Sequence, residues 1–388
     1  MSTATTVDPG LRAPSLRWSR DEWIARAMML GAMALLFTFL IAPLFSILVN
    51  AVLDKEGNFV GLAHFATYFK TPSLLRAAWN SVWVALVVML ISVPTAFLCA
   101  YALTRTCLPT PFKATVRLIA LIPLLAPSLL SAISFVQWFG NQGVLKFLLG
   151  GASIYGAPGI ILAEVYNTFP HALMILVTAL SLADGRLYEA ATALRTPGWR
   201  QFLTITLPSA KYGLISACTV VFTYVVSDFG APKVIGGNFN VLSVDVYKQV
   251  VGQLNFSMGA VVGMLLLLLS IASSTIDYTV RRKIKAQLTA RSVPFVPKPR
   301  RVADALLALF CVGVCVMLLA TIGMALYTSV IKLWPYNLSF TLDHYRFALF
   351  ESDMAGAYTN SLQVAFFTAV VGSLIVFLGA YLIEKKRN

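Results

Sequence analysis

Charged residues are scarce in this chain of 388 residues. Asp, Glu, Lys and Arg together make up 12% of the sequence, while hydrophobic residues make up 58%. A soluble domain carries about 25% charged residues, so the composition excludes an ordinary water-soluble protein. The apolar residues lie in at least eight continuous runs, each of roughly the 20 residues that span a bilayer as a helix. Because these runs do not alternate with polar residues, they predict an all-α, polytopic membrane helix bundle.

Motifs for catalysis and metal binding are absent as well. The sequence contains no Walker-type phosphate loop, no HExxH and no GxSxG. We therefore expect no catalytic residues, and any ATP hydrolysis must take place on a separate chain. The five cysteines show neither CxxC spacing nor pairing with histidine, so no metal site and no cofactor are expected.

Acidic residues are few, 16 against 30 basic residues, which gives a net charge of +14. In a membrane protein this excess indicates topology rather than a nucleic acid partner, because Lys and Arg are retained on the cytoplasmic side. The basic residues fall in alternate connections and near both ends of the chain, so we predict a cytoplasmic N terminus. The predicted spans are 27-53, 79-104, 116-139, 158-182, 213-233, 257-277, 303-330 and 358-383.

The chain contains a parallel internal duplication. LAHF at 62-65 matches LDHY at 342-345, and NSVWVA at 80-85 matches NSLQVA at 360-365. FLCAY at 97-101 matches FLGAY at 377-381 in the same way. All three pairs are displaced by 280 residues without a gap, which indicates that the later part of the chain repeats the first.

The duplication divides the chain into predicted domains. These are a cytoplasmic tail (1-26), a six-helix transmembrane domain (27-280), a basic cytoplasmic linker (281-302) and a partial second transmembrane domain of two helices (303-388). Because the first copy has six spans and the second only two, we expect the chain to be a fragment of a longer, twelve-helix protein. A naturally shorter protein with eight helices is the alternative.

A polar segment precedes the fifth predicted span, on the side predicted to be cytoplasmic. Its sequence is LYEAATALRTPGWRQFLTITLPSAKYG, at 187-213, and it breaks at Pro197-Gly198. Apolar residues recur at helical spacing before the break: Leu187, Ala190, Ala191 and Leu194. The pattern predicts a short helix, a turn and a second helix. Such a hairpin lies either at the lipid interface or in a groove of a partner protein.

The residues of this hairpin resemble the EAA loop of type I ABC importer permeases. The matching positions are Glu189, Ala190, Ala191, Trp199, Phe202, Leu207 and Pro208. In that family the loop is the coupling helix, which sits in a cleft of the cytoplasmic ATPase, and the resemblance implies the same role here. The family usually has glycine four residues after the second alanine. This chain has Arg195 there, and Gly198 is expected to supply the flexibility instead.

The two-copy layout resembles the ferric-iron and phosphonate branch of these permeases, and the segment 228-256 most resembles permeases for 2-aminoethylphosphonate. The resemblance implies a multi-pass protein of the bacterial inner membrane that imports a small solute by alternating access. Its implied partners are a dimer of a cytoplasmic ABC ATPase, a periplasmic solute-binding protein, and a second permease chain or a second copy of itself. Ferric iron is the second candidate solute.

Ionisable residues within the spans are functional candidates, because each costs about 2.5–3.5 kcal/mol on insertion scales. The fourth span holds Glu164, Asn167 and His171 close to one helical face, and Asp228 ends the fifth span. These four residues are the candidates for the translocation path. Asp228-Phe229-Gly230 resembles a segment at the outer end of this span in the iron and phosphonate branch, which implies a place at an outer gate. Hydrogen bonding between neighbouring helices, or to a helix end for Asp228, is the alternative role. The segment 244-256 is expected to form a short surface helix.

Two other functions stay open from the sequence. An ion-coupled secondary transporter needs no ATPase and would use buried acids such as Glu164 and Asp228 as coupling sites. A non-transporting assembly or receptor protein is the other.

Overall fold

The computed structural model describes residues 20–54, 56–287, 293, 295–351 and 353–385. The predicted cytoplasmic tail therefore lies outside the described residues up to residue 19. Residues 288–292 and 294 of the predicted linker, and 386–388 at the end of the chain, lie outside them too.

Nearly all of the described chain is helical. The first eight helices are α1 (Arg20–Leu36), α2 (Ala42–Val52), α3 (Ala63–Lys70), α4 (Pro72–Arg105), α5 (Thr110–Leu125), α6 (Ser128–Phe139), α7 (Ala157–Ser181) and α8 (Gly185–Ala193). The next eight are α9 (Gly198–Gln201), α10 (Leu207–Ser227), α11 (Gly230–Ile235), α12 (Leu242–Tyr247), α13 (Phe256–Gln287), α14 (Arg301–Ser329), α15 (Asp343–Arg346) and α16 (Met354–Lys385). Two strands, β1 (Ile331–Leu333) and β2 (Asn337–Phe340), pair antiparallel between α14 and α15.

Wider helical turns and one tighter turn complete the secondary structure. The π-helical turns are Phe37–Ile41, Phe202–Thr206, Lys248–Gly252 and Phe347–Glu351, and the 3-10 turn is Lys146–Leu149. The turn at Phe37–Ile41 joins α1 to α2 without a break. The turn at Phe202–Thr206 likewise joins α9 to α10.

The predicted all-α membrane architecture is confirmed. Among the described residues, seven helical stretches are long and apolar enough to cross a membrane, and the bent pair of α5 and α6 is an eighth candidate. Helices suit a bilayer because their backbone hydrogen bonds form within the segment.

The third predicted span, 116-139, is wrong as a single helix. α5 and α6 meet at an angle of 103°. The break lies at Ala126 and Pro127, where Ala126 is extended at φ −100° and ψ 135°. Proline has no backbone N–H and disfavours the helical conformation in the residue before it. The fifth span also differs, because its helix runs from Gly198 rather than from 213.

The helices separate into two compact units. One is formed by the described parts of the chain up to Ser46 and from Tyr345 onward, and within it α1 packs against α16. The other extends from Ile47 to His344 and contains the helices from α3 to α14.

The core of the larger unit lies where α4, α7 and α10 pack together. Small side chains line this contact, and Ala85, Ala96, Ala163 and Ala217 are fully buried. Helices in membranes associate through close packing of small residues rather than through a hydrophobic effect. The alanines therefore let the three helices approach closely and fix the positions of the polar residues that α7 carries.

The sequence duplication has a structural counterpart. His64 Nε2 lies 3.0 Å from the carbonyl oxygen of Leu53, and His344 Nε2 lies 2.9 Å from that of Ile331. The two histidines are the matched positions of LAHF and LDHY. In both copies the histidine belongs to a short helix that follows an antiparallel β contact and precedes a long apolar helix, α4 or α16.

Candidate functional site

The predicted hairpin is a helix, a turn and a second helix, and we call residues 187–208 the coupling loop. Its first helix, α8, begins after Asp184, whose carboxylate accepts a hydrogen bond from the N–H of Arg186 at 3.1 Å. An aspartate at this position satisfies a free N–H of the first turn. Tyr188 and Ala191 are buried, each at 7% exposure, and they face the larger unit.

The opposite face of α8 is exposed and largely apolar. Leu187 is 51% exposed and Leu194 is 79% exposed, and Glu189 and Ala190 lie on the same surface. In the second limb, Trp199 is 68% exposed. The apolar positions that the sequence placed on one helical face therefore do not pack together inside the protein. Apart from Ala191, they form a surface.

α8 ends in a Schellman motif built on Arg195. The N–H of Thr196 donates to the carbonyl oxygen of Ala191 at 2.9 Å, and the N–H of Arg195 donates to that of Thr192 at 3.0 Å. Arg195 has a φ of 52°, the left-handed conformation that this motif places after the helix. Glycine is the usual residue there because it has no Cβ to clash.

The left-handed residue of the turn is not Gly198, and the flexibility expected of this glycine stays a prediction. Gly198 is the first residue of α9, after Pro197 at φ −66° and ψ 149°, and it has no positive φ. The turn between the two limbs is instead made at Arg195 itself, because the Schellman hydrogen bonds require a left-handed residue at this point.

The second limb of the coupling loop is anchored to the bundle by Phe202. Its ring lies 6.0 Å from the ring centroid of Phe97 and 5.9 Å from that of Tyr101, both edge-to-face and both on α4. Tyr188 of the first limb donates a hydrogen bond to Thr206 at 3.0 Å. Leu207 and Pro208 begin α10, and Thr206 before them is helical too, so the π-helical turn runs into α10 without a break. The coupling loop is thus continuous with a membrane helix.

The polar residues of α7 lie inside the bundle. Glu164 is fully buried, and neither oxygen of its carboxyl group receives a hydrogen bond from a described residue. The carboxylate of Asp228 is its charged neighbour, so the structure brings together these two candidates from different spans. Tyr224 of α10 interacts electrostatically with both acids.

Asn167 and His171 continue the polar face of α7. Asn167 is 3% exposed, and its Oδ1 accepts a hydrogen bond from Ser131 of α6 at 3.1 Å. His171 Nδ1 lies 3.3 Å from the carbonyl oxygen of Asn167, and its ring centroid is 5.1 Å from that of Tyr224. All four residues predicted for the path therefore belong to one region between α6, α7 and α10. From Glu164 to the end of α7, nearest the coupling loop, the helix extends roughly 25 Å.

Asp228 also stabilises the start of α11. Its Oδ2 accepts a hydrogen bond from the N–H of Ala231 at 3.0 Å, and its carbonyl oxygen accepts one from Ser243 at 2.6 Å. The helix-end role that the sequence offered for this aspartate is therefore present. The same carboxylate also faces Glu164.

The segment 244-256, predicted as a short surface helix, is helical as far as Gly252 and is buried only in part. Leu242 and Asp245 of α12 are buried at 0% and 2% exposure, and the helix packs against α4 and α13. Burial raises the pKa of Asp245, whose carboxylate accepts a hydrogen bond from the side chain of Asn240. Lys248 Nζ donates to Asn240 Oδ1 at 2.6 Å. A buried acid and its hydrogen bonds thus attach the start of this segment to the bundle, while Val251 and Leu254 near its end are exposed at 58% and 68%.

Sequence reasoning missed two charged residues that have partners in the bundle, one buried and one half-buried. Arg105, which the charge pattern assigned to topology, is 8% exposed at the end of α4. Asp277, at the end of the predicted sixth span, accepts a 2.6 Å hydrogen bond from Ser216 of α10. Their positions at span ends make both look like residues at the membrane surface, and no motif marks their partners.

Residues 92–286 match the model of a protein family described as binding-protein-dependent transport system inner membrane component. This chain belongs to that family. The matched half of this inner membrane component contains the whole coupling loop and all four polar residues of the bundle interior.

Two similar proteins are named for ferric transport. The chain is 24% identical over 380 residues to the permease protein FbpB 1 of Haemophilus influenzae, covering 94% of this chain and 59% of that protein. It is 23% identical over 382 residues to FbpB of Actinobacillus pleuropneumoniae, covering 94% and 54%. This inner membrane component thus spans little more than half the length of these two relatives.

A solved structure shares the fold. It is the crystal structure of a bacterial alginate ABC transporter in complex with an alginate pentasaccharide-bound periplasmic protein, with a TM-score of 0.54 and 17% identity. The similarity covers 71% of this chain and 98% of that one.

Proposed function

We propose that this chain is the membrane-spanning permease subunit of an ABC importer and that the coupling loop is the docking site for its cytoplasmic ATPase. The observation that carries the proposal is the exposed apolar face of the loop, with Leu187, Leu194 and Trp199 each at least half exposed. Large apolar side chains grouped on a polar loop indicate a protein interface. Membership of the family supports the same reading.

The geometry suggests how force enters the bundle. Closure of the ATPase dimer on ATP pushes on α8, and the second limb passes this movement to α10, with which it is continuous. Phe202 passes it to α4 through its contacts with Phe97 and Tyr101. The bundle then alternates between inward-open and outward-open states. In this scheme the chain is a transport subunit, and the ATPase performs the hydrolysis.

The polar region between α6, α7 and α10 is proposed as part of the translocation path. Glu164 supports this role because a fully buried acid without a hydrogen-bond donor is costly in a membrane protein and is retained for a function. Movement of α10 relative to α7 would expose Glu164, Asn167, His171 and Asp228 to solute. The periplasmic binding protein would deliver that solute to the outer end.

The solute is proposed to be 2-aminoethylphosphonate, with ferric iron as the second candidate. The first rests on the resemblance of the segment 228–256. The second is supported by the relatives that are named for ferric transport. Uptake of each labelled solute by cells that have and lack this chain decides between them.

Charge reversal at Glu189 tests the docking role. Glu189→Lys is expected to abolish co-purification of the ATPase while membrane insertion stays intact, because the changed charge lies on the exposed face of α8. Deletion of residues 189–198 should have the same effect. Glu56→Lys, the same change at another exposed acid, is the matched control. Co-purification of the ATPase with Glu189→Lys at the wild-type level would refute the docking role.

An ion-coupled carrier is the second candidate function, and the proximity of Glu164 to Asp228 favours it. A buried carboxyl group and a half-buried neighbouring one can share and release a proton. Uptake that stops when the proton gradient is dissipated, with ATP maintained, would support this carrier. Uptake that continues under those conditions supports the importer.

A further inference from the structure

The buried guanidinium of Arg105 connects three parts of the chain. Its Nη2 donates a 2.8 Å hydrogen bond to the carbonyl oxygen of Leu180, in the last turn of α7. Its Cζ lies 4.7 Å from the ring centroid of Tyr188 in α8 and 4.4 Å from that of Phe295 in the linker. The two rings are 4.6 Å apart. A cation in contact with two aromatic rings is held by electrostatic attraction as well as by packing, so Arg105 joins the linker to α8.

Backbone hydrogen bonds hold the linker along the same side of α8. We call residues 293 and 295–300 the linker strap. The N–H of Gly185 donates to the carbonyl oxygen of Val293 at 2.8 Å, and the N–H of Val293 donates to Asp184 Oδ1 at 3.4 Å. Further along, Cys107 Sγ donates to the carbonyl oxygen of Pro297 at 3.1 Å. The strap is thus attached at several points and by different kinds of contact.

The linker strap leads directly into α14. The N–H of Arg300 donates to Asp304 Oδ2 at 3.2 Å, which caps the first turn of that helix. The guanidinium of Arg300 lies beside the coupling loop, since a Cβ on Gly198 would be 2.9 Å from its Nη1. A cavity of about 420 Å³ between strap and loop is lined by both, including Glu189 and Lys298. Coupling loop, strap and the start of α14 form one contiguous structure.

We propose that Arg105 and Phe295 are positioning residues that keep the linker strap fixed to the coupling loop throughout the transport cycle. A movement of the loop then reaches α14 through the strap, in addition to the route through α10. The proposal rests on the proposed docking of the ATPase at the coupling loop. It gives the linker, which the sequence marks only as a basic connection, a part in transmitting force.

A reversible cross-link tests whether strap and loop move together. Asp184→Cys with Val293→Cys, in a Cys107→Ser background, places two thiols on residues that are neighbours in the wild type, because the backbone N–H of Val293 lies 3.4 Å from Asp184 Oδ1. ATP hydrolysis by the complex of this chain with its ATPase and binding protein is measured in vesicles before and after oxidation, so the reduced sample is the control. Hydrolysis is expected to continue unchanged after cross-linking. Its loss on oxidation, with recovery on reduction, shows that the strap must leave the loop and overturns the proposal.

Substitutions of Phe295 test whether this residue holds the strap through its contact with Arg105 or only covers α8 with an apolar side chain. Phe295→Ala is expected to leave the ATPase bound. The rate of ATP hydrolysis should fall severalfold, and trypsin should cleave after Arg300 severalfold faster. Phe295→Tyr should restore both rates, whereas Phe295→Leu should not, because Arg105 needs an aromatic face. Val296→Ala, at a linker position that is 78% exposed, is the matched control. Wild-type cleavage and hydrolysis in Phe295→Ala, or full rescue by leucine, would overturn the positioning role.

The wild-type complex distinguishes the two proposals. If the wild-type chain binds no ATPase, the proposed function itself fails. If the wild-type complex hydrolyses ATP and the oxidised cross-linked complex does not, only the proposal for the strap fails.

Discussion

Arg195 adopts a backbone conformation that its side chain disfavours. A left-handed φ costs a residue with a Cβ roughly 1–2 kcal/mol, and Arg195 has a φ of 52° at the end of α8. The hydrogen bonds of Thr196 and Arg195 to the last turn of the helix hold it there. Comparison of the sequence with the EAA loop shows that arginine replaces the usual glycine at this position. The comparison does not predict that Arg195 still forms the left-handed turn, because backbone hydrogen bonds rather than side-chain preference determine that conformation.

Arg195→Gly is expected to stabilise the end of α8. Removal of the left-handed strain should raise the free energy of opening this helix end by about 1 kcal/mol. Hydrogen exchange of the Thr196 amide should therefore slow by about fivefold. Arg200→Gly, the same change at a helical position of α9, should speed exchange locally because glycine weakens helices. Exchange at Thr196 that is unchanged or faster in Arg195→Gly would contradict this account of the turn.

The contacts of Arg105 show what the sequence could not predict at this scale. Arg105 meets Leu180, Tyr188 and Phe295, which are all far from it along the chain. Helical periodicity reports only neighbours within one helix. Glu164, by contrast, was predictable as a functional candidate, because an acid within an apolar run is unusual on its own.

At the scale of helices, the continuous apolar runs predicted nearly every membrane element, because length and hydropathy alone define a span. The predictions were wrong where proline or tertiary packing decided the outcome. The bend at Ala126 and Pro127 was missed because prolines are common in membrane helices. The early start at Gly198 was missed because Arg200 and Gln201 are polar, whereas Phe202 anchors this segment against α4.

The close approach of α7 and α10 depends on Gly213. A Cβ on Gly213 would lie 2.3 Å from the Cβ of Ala179, which is far inside contact distance. Gly213→Ala is therefore expected to push the helices apart and to cost about 1–3 kcal/mol, as overpacking of a core does. The measurement is the apparent Tm of the purified protein in detergent, which should fall.

Gly313→Ala on α14 is the matched control for Gly213→Ala. No described atom lies within 4 Å of the Cβ that it would add. The apparent Tm of Gly313→Ala should stay at or above the wild-type value. Equal values of Tm for the two variants would contradict close packing of α7 on α10.

At the scale of the whole molecule, one end of the larger unit and its interior carry different chemistry. One end presents the coupling loop and the linker strap, with exposed apolar and basic side chains. The interior around Glu164 and Asp228 is polar and closed in this conformation. In the proposed function, the ATPase and the solute therefore bind at separate parts of the larger unit. Matched positions of the duplication, His64 and His344, make equivalent local contacts.

We proposed that an ATPase on the cytoplasmic side binds the coupling loop, and labelling of Trp199→Cys is the test of this proposal. The background is Cys107→Ser, which removes the one native cysteine that is exposed in the described chain. A membrane-impermeant maleimide should label Trp199→Cys in inside-out vesicles and not in intact spheroplasts, and bound ATPase should block the reaction. Labelling from outside the cell, or labelling in inside-out vesicles that bound ATPase leaves unchanged, would contradict the account.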